Sequence, residues 1–177
     1  MTFAWTLRVS TCTNIELAIE PAHTVSANEN IIIPSKLGVR VIWVASMNVP
    51  DDLKYTKDHE WARKEPSGVR VGITDHAQQE LTDIVYVGLP KAGASVQKGK
   101  PLCVVESIKA TNDVFAAVSG TVVDMNSELT AHPELVNKEP YSKGWMVVIK
   151  PSNEKEFDEL MTPEKYKQYL SSMGGKH

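Results

Sequence analysis

Two short apolar runs, residues 101–105 (PLCVV) and 114–118 (VFAAV), stand either side of a polar bridge centred on Lys109. Glu106, Ser107, Lys109, Thr111, Asn112 and Asp113 supply the polarity of that bridge. Two runs of high β-propensity interrupted in this way predict a hairpin whose turn faces solvent. A lysine at such a tip is accessible and held away from the body of the fold, which suits the anchor of a covalent swinging arm. The same position also suits an ordinary solvated charge. Gly93 and Gly120 flank the hairpin, where close strand crossings or turns with positive φ call for glycine.

The surrounding chain reads as more short strands. Residues 60–63 and 68–73 are predicted strands joined by the turn Glu65-Pro66-Ser67-Gly68. Residues 74–81 (TDHAQQEL) read as a helix with Thr74 or Asp75 as N-cap. A strand over 83–89 is closed by Pro90 and Gly93. Beyond the hairpin come a strand at 120–125, one helical turn over 132–137 with Pro133 at its first position, and a strand at 145–150 stopped by Pro151. Two short helices follow, over 154–161 and from Pro163 to about Leu170, the second capped by Thr162. Many short strands separated by Gly, Pro and Asn turns predict a mostly β sandwich or flattened barrel.

Composition narrows the function classes. The chain has 177 residues, 42% hydrophobic and 23% charged, enough for one domain with a core and an appendage. A formal charge of −3 and the lack of a basic patch interleaved with aromatics argue against nucleic acid. The two cysteines, Cys12 and Cys103, form neither a C-x-x-C pair nor part of a metal-ligand cluster, so a reducing compartment is the expectation. Cys103 lies in an apolar run and reads as a small core residue rather than a nucleophile. His59, His76 and His132 show no pairing with a Ser or Cys nucleophile and read as structural.

Residues 1–46 differ in character from the rest of the chain. The acid-free opening, rich in Ser and Thr, is faintly like a transit peptide, but Glu16, Glu20 and Glu29 spoil that pattern. The apolar stretch over 31–49 is interrupted by Pro34, Lys36 and Arg40, which is wrong for a membrane span. Residues 1–46 are therefore expected to be an extension, poorly ordered or foreign to the domain beginning at Met47.

The hairpin sequence Glu106-Ser107-Ile108-Lys109-Ala110, between Gly93 and Gly120, resembles the lipoyl-attachment hairpin of the glycine cleavage system H protein family. Further matches run in order along the chain: Leu53-Lys54-Tyr55 with His59-Glu60-Trp61, then Gly72-Ile73-Thr74-Asp75-His76-Ala77-Gln78, then Pro133-Glu134-Leu135-Val136-Asn137, then Pro140-Tyr141 through Gly144-Trp145-Met146. Each motif alone is weak. The ordered set, covering Met47 to about Leu170, is specific.

The resemblance implies a lipoyl/biotinyl-type β-sandwich over 47–177, with a short helix near 75–81 and a C-terminal helical segment over 153–172. It implies a carrier without chemistry of its own, with lipoic acid in amide linkage on Lys109. Its partners would be a pyridoxal-phosphate glycine decarboxylase that loads an aminomethyl group, a tetrahydrofolate-dependent aminomethyltransferase that takes it, dihydrolipoamide dehydrogenase, which reoxidises the dithiol, and the lipoylating enzymes. Between dockings it would be a monomer. Glu106, Gly93 and Gly120 would serve hairpin geometry and recognition by the lipoylating enzyme, although Glu106 reads equally as a solvated strand-end carboxylate. Glu60, Asp113, Asp58 and Ile73 would cradle the loaded arm and shield its cationic cargo. Read without the resemblance, Asp113 is a turn-capping side chain and Glu60 a surface charge near Trp61.

Two positions depart from the family pattern. Thr82 stands where glycine is usual after the short helix, and Glu80 where some members carry histidine. Rival carriers fit less well: biotinyl lysines sit between methionines, whereas Ile108 and Ala110 flank Lys109, and lipoyl domains of 2-oxoacid dehydrogenases have aspartate before the lysine. An H-like module that relays lipoyl groups shares the hairpin and stays open as a reading. A bacterial cytoplasm is the expected location because the family pattern starts cleanly at Met47, with the mitochondrial matrix as the alternative.

Overall fold

A computed structural model describes residues 31–35, 38–42 and 48–173. The chain divides into two units, Met1–Ser46 and Met47–His177. In the first, β1 (Ile31–Ser35) and β2 (Gly38–Ile42) pair antiparallel, with Ile31 opposite Ile42 and Ser35 opposite Gly38. No strand was expected from the sequence in this stretch. The transit-peptide and Met47 readings lie outside the described residues.

The second unit opens with β3 (Lys54–Tyr55), β4 (Glu60–Glu65) and β5 (Gly68–Ile73), followed by α1 (Asp75–Leu81) and β6 (Ile84–Gly88). Next come β7 (Ser95–Val96), β8 (Pro101–Ser107), β9 (Thr111–Phe115) and β10 (Gly120–Met125). Two single-turn helices, α2 (Glu128–Ala131) and α3 (Leu135–Lys138), precede β11 (Val147–Pro151); α4 (Lys155–Asp158) and α5 (Pro163–Met173) close the unit. Six strands form one antiparallel sheet in the order β3-β4-β5-β11-β10-β7, and three form another, β6-β8-β9. The pairings do not close into a barrel, so the mostly β class stands as a sandwich of two antiparallel sheets.

Apolar side chains of both sheets meet in one core. Val71, Ile73 and Ile149 from the larger sheet are buried with Val87, Val105 and Val114 from the smaller, joined by Leu129 of α2 and Val136 of α3. Cys103 belongs to this core, and burial pushes its thiol up to about 12, so it stays protonated, as expected of a packing residue. A second cluster gathers Leu53, Tyr55 and Trp61 against Tyr166 of α5, with the rings of Tyr55 and Tyr166 stacked at 4.5 Å. Paired backbone bonds at 2.9 Å between Tyr55 and Met161 knit the start of the unit to its end.

The backbone moves several expected boundaries. The polar bridge is shorter than its side chains suggest, because Glu106 pairs with Thr111 and Val104 with Asp113 inside the ladder. Strand pairing uses main-chain groups, so polar residues with solvent on one face continue a strand. Conversely, residues 116–118 leave the strand while staying buried, since Ala116 bonds Lys100 and Gly99 of the preceding loop instead of the ladder. Pro151 is the last residue of β11, opposite Gly120, rather than its stop. The helix expected over 154–161 ends at Asp158, because Met161 is taken by its bridge to Tyr55. Helix α2 has too few residues to show a period and was missed.

The two glycines singled out from sequence act on this scaffold. Gly93 has φ +86° in the loop before β7 and donates its N–H to Val122 O at 2.8 Å. Gly120 lies so close to β11 that a Cβ there would come within 2.0 Å of Lys150 O. Only hydrogen fits at that crossing.

Candidate functional site

Lys109 occupies the tip of the β8–β9 hairpin in a three-residue loop, Ile108-Lys109-Ala110. Ser107 closes it: its N–H donates to Ala110 O at 2.8 Å, and its hydroxyl donates to the same oxygen at 3.1 Å. The hydroxyl oxygen also accepts from the N–H groups of Lys109 (3.3 Å) and Ala110 (3.1 Å). The Ile108 N–H donates to Asp83 O at 3.2 Å, tethering the tip to the chain entering β6. None of the three loop residues has positive φ. A serine side chain thus does what glycine or asparagine does in many tight hairpins. Lys109 is exposed, and among the described residues its Nζ has no ion-pair or hydrogen-bond partner.

Beside the tip lies a cleft of about 210 Å³ between the two sheets and α1, lined by Lys109, Asp58, Glu60, Ile73, Glu80 and Asp113, together with His59, Ala77, Leu81, Ser107, Ala110, Asn112 and Val114. All four residues expected to cradle an arm line it together with the lysine. Glu106, Gly93 and Gly120 do not. Glu106 is half-buried opposite Tyr86 of β6, Gly93 lies in the loop before β7, and Gly120 at the crossing with β11.

Glu60 corrects its reading as a surface charge. It is 2% exposed; one carboxylate oxygen accepts from the Phe115 N–H at 2.9 Å and the other from the Thr56 hydroxyl. The Thr56 oxygen in turn accepts from the Glu60 N–H at 3.0 Å. Burial raises the pKa of this carboxyl above the usual glutamate value, partly offset by the hydrogen bonds from Thr56 and Phe115. Glu60 therefore pins β9 to β4 as well as facing the cleft.

Helix α1 forms the cleft's other wall. Thr74 is its N-cap, its hydroxyl oxygen accepting from the Ala77 N–H at 3.3 Å, and Asp75 lies in the first turn. Thr82 ends it at φ 63°, ψ −142°, a conformation disfavoured for a β-branched residue and the kind that glycine relieves. Asn137 holds this turn by donating to Thr82 O (2.7 Å) and Gln78 Oε1 (3.0 Å) while accepting from the Ile84 N–H (3.0 Å).

Sequence reasoning passed over His59 as structural, yet it lines the cleft at φ 70°. Its Nδ1 is 2.8 Å from the Tyr166 hydroxyl, which is 2.9 Å from Thr74 Oγ1, so α5 braces the cleft floor. Burial, then the neighbouring His76, lowers the His59 pKa. His76 Nε2 faces Glu80 at 3.4 Å. The His59-Glu60-Trp61 motif marks the position of His59 in the sequence but not its backbone, because a positive φ on a non-glycine residue is set by packing. With several carboxyl groups and no activated nucleophile, the cleft suits holding a cation. No metal-binding cluster occurs among the described residues.

The glycine cleavage H-protein family model matches residues 53–173. The chain belongs to the glycine cleavage H-protein family. The glycine cleavage system H protein of Geobacillus kaustophilus is 50% identical over 125 residues, covering 71% of this chain and 98% of that protein. The mitochondrial glycine cleavage system H protein of Flaveria trinervia is 48% identical over 130 residues, 73% of this chain and 79% of that protein. A crystal structure of a glycine cleavage system H protein from Mycobacterium marinum matches with TM-score 0.63 at 36% identity, covering 71% of this chain and 99% of that one. As an H protein the chain is a non-catalytic carrier that bears covalently attached lipoate. It shuttles between glycine decarboxylase, the aminomethyltransferase and dihydrolipoamide dehydrogenase. Both bacterial and mitochondrial proteins occur among its relatives, and no described helix is long and apolar enough to cross a membrane.

Proposed function

We propose that Lys109 is the lipoyl attachment residue and that the adjoining cleft cradles the loaded arm. The observation that carries this reading is the exposed lysine at the hairpin tip, without an ion-pair partner among the described residues and opening on an acid-lined cleft. Acylation removes the ammonium charge and leaves an amphipathic chain able to enter apolar clefts. From Cα the arm reaches about 14 Å, enough to enter a partner's site while the β-scaffold stays docked. Lipoate supplies the dithiol that takes the one-carbon unit.

The protein's part is positional. Asp58, Asp113 and Glu80 face the cationic end of the cargo, Ile73 contributes an apolar wall, and Glu60 holds the cleft's two sides together. Carboxylates at the cleft's rim favour the ammonium, and the cleft walls limit water attack. Glu106 is the acidic handle for lipoylation, and Gly93 and Gly120 set the geometry beneath it. Residues 47–177 form the carrier domain, with residues 1–46 an extension outside it; its location is a bacterial cytoplasm.

Two measurements test the reading. Intact-mass analysis with peptide mapping after incubation with lipoate, ATP and a lipoate–protein ligase should place one lipoyl amide on Lys109, and Lys109→Arg should abolish it. Modification at another residue overturns the attachment. Ammonia release from aminomethyl-loaded carrier, with no transferase present, should quicken in Asp113→Asn; an unchanged rate removes Asp113 from the cradle.

A further inference from the structure

Among the described residues six large hydrophobic side chains are exposed, and three of them lie on β6 and the adjoining β8–β9 turn: Val85 (53%), Tyr86 (50%) and Ile108 (72%). Val85 sits in the irregularity where β6 shifts register between Ile84 and Tyr86. Tyr86 is directly opposite Glu106, its ring so close over Gly88 that a Cβ there would meet Tyr86 Cε1 at 3.3 Å. Ile108 is fastened beside them by its bond to Asp83 O. None of the three lines the arm cleft, so the cradle does not account for their exposure.

We infer that the patch of Val85, Tyr86 and Ile108 is the docking surface for the enzyme that acylates Lys109. The inference rests on Lys109 being the attachment residue and is decided by reach. Once acylated, the arm extends about 14 Å from the lysine Cα, and the enzymes that use it need not touch the turn. The bare side chain extends only about 6 Å. The enzyme that makes the amide must therefore close on the tip itself, where the apolar surface is concentrated. Asp83 and Glu106 border the patch, so the complementary surface is an apolar hollow with a basic rim. There Nζ bonds to the carbonyl carbon of a lipoyl adenylate. The bond from that carbon to the phosphate oxygen breaks, AMP leaves with the electron pair, and the former ammonium gives up two protons to base or solvent.

The test uses the full unacylated chain, with lipoate, ATP and a lipoate–protein ligase, initial rates being read by intact mass over a range of carrier concentrations. The double variant Val85→Ser/Tyr86→Ser should lower kcat/KM at least tenfold, mostly through KM. Ile108→Arg, at the most exposed of the three side chains, should do the same and keeps the test open should the double variant fail to fold. After exhaustive acylation, NADH-driven reduction of each variant by dihydrolipoamide dehydrogenase should stay within twofold of the unsubstituted chain. Acylation within twofold of the unsubstituted chain overturns the inference. So does an equal fall in acylation and reduction, which would mark a general contact surface, or a wild-type dimer by sedimentation that the variants dissolve. Failure of the unsubstituted chain to be acylated at Lys109 is separately visible, and sinks the attachment reading itself.

Discussion

The hairpin tip and the seam between β10 and β11 make opposite use of the same chain. At the tip, Ile108, Lys109 and Ala110 turn the backbone with ordinary negative φ, and the conformation is held by hydrogen bonds converging on Ser107. At the seam, Gly120 admits the Lys150 carbonyl to a distance no side chain tolerates. The tip is thus specified by bonds that can be removed singly, the seam by volume that cannot be added. The proposed attachment site sits on the first kind of structure and stability on the second. A lysine proposed to carry the arm gains from a turn with nothing packed above it, whereas the sheet beneath must not yield.

Substitutions can break this contrast or sharpen it. The largest effect is expected at the seam: Gly120→Ala should destabilise by about 3 kcal/mol, because the backbone of β11 must shift to admit the methyl group. Urea unfolding measures it, and a loss near zero would mean the crossing is pliable. Glu60, between the two regions, should show itself through pH. Its folded-state pKa lies above the unfolded value, so its contribution is fully present below the usual glutamate range and is lost as pH rises through the raised value. Glu60→Gln should therefore flatten the fall in stability on going from acid to neutral pH, as read by unfolding midpoints at a series of pH values.

Smaller effects are expected at the tip and at α1. Ser107→Ala removes the hydroxyl that closes the loop and should cost about 1 kcal/mol. Faster amide exchange at Lys109 and Ala110, with the rest of the sheet unchanged, would show the loss to be local. Thr82→Gly should act in the opposite sense, gaining about 1 kcal/mol by relieving a positive φ on a β-branched residue. A thermal midpoint that fails to rise would mean that the hydrogen bond from Asn137 already compensates the strain.

Legibility from sequence divides along the same line. The hairpin, the position of Lys109 and the cap at Thr74 were legible because β-propensity, polarity and capping chemistry are local properties. The hairpin's strand ends were not, because Thr111, Asn112 and Asp113 look like a loop while their backbones pair like a strand. The burial of Glu60 was hidden for a different reason. A charged residue reads as surface unless its partners are known, and one of them, the Phe115 N–H, arrives from far along the chain. Thr56, four residues earlier, was the one nearby hint. The positive φ of His59 has no counterpart in residue type at all, whereas Thr82 was flagged only because glycine is usual there.

The stack of Tyr55 on Tyr166 has a consequence for how the molecule comes into being. Tyr166 also grips His59, so the floor of the cleft is finished only after every strand of both sheets has been made. Until that helix emerges, the nascent sandwich has an aromatic face open to water and a histidine without its brace. A prematurely terminated polypeptide lacking α5 would therefore keep the hairpin that bears Lys109 yet lack the brace beneath the adjoining cleft.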